Sequence, residues 1–76
     1  MDNQLDRITV DPHILLGKPT IRGLRISVEQ VLRALAAGVP TQDLLDDYPE
    51  LEAADIREAL AYAADRVADE RIYRVA

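Results

Sequence analysis

Gly17, Lys18 and Thr20, in the stretch GKPTIRGLRI from Gly17 to Ile26, are the residue types of a phosphate cradle. In a P-loop, glycine amides wrap the phosphates and a lysine reaches the outer ones, followed directly by Ser or Thr. The spacing here is wrong. The first glycine of such a loop would fall at position 12, where Pro12 stands, and Pro19 separates Lys18 from Thr20 and removes a backbone donor. The stretch keeps a basic cluster, Lys18, Arg22 and Arg25, without nucleotide-binding spacing.

The other reactive side chains are equally bare of partners. His13 is the single histidine; a general base needs a nucleophile within reach and a metal needs further ligands, so His13 reads as a solvated loop residue. Asp43, Asp46 and Asp47 lie at i, i+3 and i+4, one wet helical face near Glu50, without the glycine spacing of a calcium loop. Ser27 stands where a helix cap is needed rather than beside a base. No catalytic residue, no metal site and no cofactor is expected, and the chain is not read as an enzyme.

The elements that position these residues follow from periodicity. Ile8, Val10, Ile14 and Leu15, then Ile21 and Ile26, flank a segment with Pro12, Gly17 and Pro19, which predicts two short strands joined by an irregular loop. Alternation along the second strand sends Arg22 and Arg25 to opposite faces unless Gly23 makes a bulge. From Ser27 the period becomes helical: Val28, Val31, Leu32, Leu35 and Ala36 form one stripe. Ser27 and Gln30 carry a capping-box signature, and Gly38 with Pro40 provides a stop. Thr41 is read as the cap of a short second helix with Leu44, Leu45 and Tyr48, ended by Pro49. A third helix begins near Ala53, with Leu51 and Ile56 as a hydrophobic staple and Asp55 in its first turn. Its core stripe is read as Ile56, Leu60, Ala63 and Val67. After Ala68 the segment DERIYRVA is either a helix end or an extended arm.

These elements make one mainly α domain over residues 1–76: a β-hairpin arm at 1–26, a three-helix helix-turn-helix core at 27–68 and a C-terminal tail at 69–76. At this size the core is marginal, and with no cysteine to staple it, self-association is the route to further burial. No apolar run is long enough for a membrane span and the N-terminus lacks signal-peptide layout, so a cytoplasmic protein is expected. The net charge of 9 − 14 = −5 argues against a general nucleic-acid coat. Residues 1–37 nevertheless sum to 5 − 4 = +1 and residues 38–76 to 4 − 10 = −6, so any polyanion-facing surface belongs to the first half.

The order ITVDPHILLGKPTIRGLRISVEQVL, LAAGVPTQDLLDDYPEL and DIREALAYAA resembles the bacterial domain of unknown function family 433, whose members include VapB-like antitoxins. The likeness runs from about Ile8 to Ala64. The chain departs from the family's pattern at Leu16, where a second glycine is frequent, and at Leu24, where threonine is frequent. The resemblance implies a helix-turn-helix antitoxin, acting as a dimer, with two tasks: neutralising a PIN-like ribonuclease toxin encoded alongside, and repressing its own promoter. The alternative is a dimeric protein-interaction module that does not touch DNA.

Those tasks name candidate residues. A PIN-type nuclease holds a divalent metal on clustered carboxylates, where an inserted cation could substitute for it. Arg71, Ile72, Tyr73 and Arg74 have the composition of such an anchor. The helix that would enter a DNA groove instead begins with Glu52, Asp55 and Glu58, which face phosphates unfavourably. DNA contact is therefore assigned to Lys18, Arg22, Arg25 and Arg33, with Thr41 and Gln42 as neutral donors.

Overall fold

A computed structural model describes residues 7–74, with the side chains of residues 7–69. Its elements in chain order are β1 (Ile8–Thr9), β2 (Thr20–Ile21), α1 (Val28–Ala36), α2 (Thr41–Asp47) and α3 (Ala53–Arg74). The expected mainly α chain with three helices and an N-terminal antiparallel strand pair is what forms. Among the described residues, no helix is long and apolar enough to cross a membrane.

The strands are shorter than the apolar pattern suggests. Ile8 pairs with Ile21 and Thr9 with Thr20, but Val10 is exposed, and Leu15 begins a single 3-10 turn rather than continuing β1. Leu15, Leu16 and Gly17 all have positive φ, at 50°, 58° and 84°. This left-handed turn is closed by the Gly17 and Lys18 amides donating to the carbonyls of Ile14 and Leu15. Left-handed backbone is costly for any residue with a Cβ, which is a physical reason for glycine to be favoured at position 16. Leu16 pays that cost while its side chain is 95% exposed.

A second positive-φ pair, Arg22 at 47° and Gly23 at 73°, makes a tight turn after β2 in which the Leu24 amide donates to the Ile21 carbonyl. Both central residues are left-handed, as in a type I′ turn. The simple alternation expected through Arg22 and Arg25 therefore ends at Ile21. The chain doubles back so that the Ile21 amide donates to the Ile26 carbonyl and Thr20 bridges Ser27. Leu24 is half-buried against the core.

The helix boundaries have identifiable causes. Ser27 caps α1 by accepting from the Gln30 amide, as expected, but the Gln30 side chain donates to the Tyr48 hydroxyl and so ties α1 to the end of α2. At its other end the Gly38 amide donates to Leu35 and the Val39 amide to Ala34, a Schellman closure with Gly38 at φ 92°. Thr41 is not the cap of α2. Pro40 occupies that position, its fixed φ of −64° suiting the helix entry, and Thr41 is the first helical residue.

Ile21, Ile26, Val28, Val31, Leu44, Leu51, Ile56 and Ala59 form the buried core. Leu51 and Ile56, the expected staple, are both inside it. The expected α3 stripe is only half right. Ile56 is buried, but Leu60 is 48% and Val67 61% exposed. Leu60 lies off the arc of α3 that packs inward, since its neighbours Ala59 and Tyr62 are the ones that meet the core. Val67 lies farther along a helix of 22 residues, about 33 Å, where the nine residues of α1 give only about 13 Å to pack against. The helix continues past Ala68 to Arg74, so the segment expected as a helix end or an arm has a helical backbone as far as it is described.

Candidate functional site

Arg22 and Asp55 are the functional-looking residues that the fold spends on itself. The left-handed Arg22 aims its guanidinium at the start of α3, where Nε donates to Asp55 Oδ1 at 3.0 Å and Nη2 to Asp55 Oδ2 at 2.9 Å. Nη2 also donates to the Glu50 carbonyl at 2.6 Å, which ties down the α2–α3 connection. Arg7 approaches the same carboxylate, Nη1 donating to Asp55 Oδ1 at 2.9 Å and to Glu52 Oε1 at 2.7 Å. The Glu52 amide completes the set, donating to Asp55 Oδ2 at 2.8 Å. Asp55 thus reaches back from the first turn of α3 to the residue before the helix, the reciprocal half of a capping box.

Asp55 is fully buried, and burial alone would push its carboxyl up; the bonds from Arg22, the Glu52 amide and Arg7 outweigh that and hold it below the ordinary carboxylate value. Glu52 and then Asp55 raise the Arg7 guanidinium, and Asp55 raises that of Arg22. All three groups are charged near neutral pH, and the cluster is closed: two cations face three carboxylates, Asp55, Glu52 and, 4.0 Å from Arg7 Nε, Glu58. It joins the strand pair, the α2–α3 connection and α3. It leaves Arg22 little charge for DNA.

A second, open cluster forms on α1. Glu29 Oε1 accepts from Lys18 Nζ at 3.0 Å and Glu29 Oε2 from Arg33 Nε at 2.9 Å. Lys18, then Arg33, holds the Glu29 carboxyl below its ordinary value. The structure brings Lys18 and Arg33 together on one shared carboxylate. Arg25 is exposed and makes no ion pair among the described residues. Thr41 is exposed at the start of α2, and Gln42 donates to Asp46 one turn later. The side chains of Arg71, Ile72, Tyr73 and Arg74, expected as the partner anchor, lie outside the described residues.

Sequence spacing missed Asp55 as a hub. Its position in the first turn of a helix signals favourable dipole placement, and nothing in the local pattern pairs it with Arg22, 33 residues earlier. Among the described residues no group of acidic or histidine side chains is arranged to hold a metal.

Residues 8–63 match the family described as Protein of unknown function (DUF433), which covers most of the chain and the whole arrangement from β1 into α3. The chain belongs to the DUF433 family. It is also 41% identical over 56 residues to the uncharacterized protein y4eO of Sinorhizobium fredii; the alignment covers 74% of this chain and 25% of that protein. The chain thus spans about a quarter of the length of the curated relative it matches. No solved structure matches. In this DUF433 chain the matched segment contains Arg22, Asp55 and Glu29 but ends before the exposed Val67.

Proposed function

We propose that the chain is the antitoxin of a type II toxin-antitoxin pair, built on a helix-turn-helix core, which neutralises a PIN-like ribonuclease and binds promoter DNA as a dimer. The observation that carries this reading is the division of labour between the two hairpin arginines. Arg22 is consumed in bracing the fold, and Arg25, three residues on, is exposed and unmatched by carboxylate among the described residues. A cation held on a braced turn suits contact with a phosphate or a nuclease carboxylate cluster. The exposed Leu60 and Val67 on α3 favour a second copy as the source of the missing burial.

The test is co-expression with the adjacent gene product, co-purification, and an RNase assay with and without this chain. Inhibition at equal stoichiometry is expected, and full nuclease activity in excess chain would refute the inhibitory role. For DNA, Arg25→Ala is the clean variant, because Arg25 has no bracing role. It should weaken promoter binding and reduce the salt slope, with thermal stability unchanged.

The second reading, a dimeric interaction module without DNA binding, draws support from Glu29. Lys18 and Arg33 share that carboxylate, so the pair offers a phosphate backbone one net positive charge rather than two. Wild-type affinity for promoter DNA no greater than for an unrelated duplex would favour this module.

A further inference from the structure

We draw no further inference here: the strongest candidate, the exposed apolar face of α3 around Leu60, Ala64 and Val67, is the face already given to the proposed dimer, and nothing in the structure shows what else would cover it.

Discussion

Replacing Asp55 by alanine removes the acceptor of four hydrogen bonds, three from guanidinium nitrogens and one from the Glu52 amide. Breaking a buried ion pair from one side typically costs about 3–5 kcal/mol, because the remaining charge loses its compensation. The guanidinium side chains of Arg7 and Arg22 are 31% and 34% exposed, so water recovers part of that loss. A destabilisation of about 2–4 kcal/mol is therefore expected, a large share of the roughly 4–11 kcal/mol that a chain of this length carries. In urea, with a slope near 1 kcal/mol/M for a small domain, the midpoint should fall by at least about 2 M with the slope unchanged. Asp55→Asn keeps the shape and an acceptor for the Glu52 amide, but turns an amide group toward two cations. It should therefore be nearly as damaging. A loss below about 1 kcal/mol in both variants would refute the argument that this cluster holds the strand pair to α3.

The remaining predictions concern pH, backbone and association. Because the folded-state pKa of Asp55 lies below its ordinary value of 3.8, its contribution is complete above that value and is lost as pH falls through the folded pKa. The wild-type melting temperature should hold between pH 7 and 5 and drop below about pH 4, and Asp55→Asn should flatten that drop. Leu16→Gly relieves left-handed strain of about 1–2 kcal/mol against the added entropy of an unfolded glycine, for a net gain of about 0.5–1 kcal/mol by calorimetry. Leu16→Ala should give no comparable gain, as alanine carries the same Cβ penalty. Gly38→Ala meets no atom within 4 Å of its new Cβ, so its expected cost of about 1 kcal/mol in urea is purely conformational. Leu60→Ser with Val67→Ser should change monomer stability by under about 2 kcal/mol, because both side chains are about half exposed or more. If α3 pairs two copies, light scattering should report loss of the dimer.

The two strands, three helices, the Ser27 cap, the Gly38 stop and the Leu51–Ile56 staple were legible in the sequence because each depends on residues within a few positions of one another. Periodicity also marked Leu60 and Val67 as apolar positions on α3, but it could not say that Ala59 and Tyr62 would face the core in place of Leu60, or that α3 continues past its neighbours at Val67. Both depend on where the other helices lie in space. The same limit applied to the basic cluster. Composition placed Lys18, Arg22, Arg25 and Arg33 in the half of the chain with net positive charge, and alternation posed the question of which arginine faces outward. The answer came from a left-handed turn and a carboxylate 33 residues away: Arg22 is drawn onto Asp55, Lys18 and Arg33 meet on Glu29, and Arg25 stays exposed. Local spacing determines the period of an element and how it starts and stops. Which charges neutralise one another is decided by Coulomb attraction across distances that only the packed chain sets.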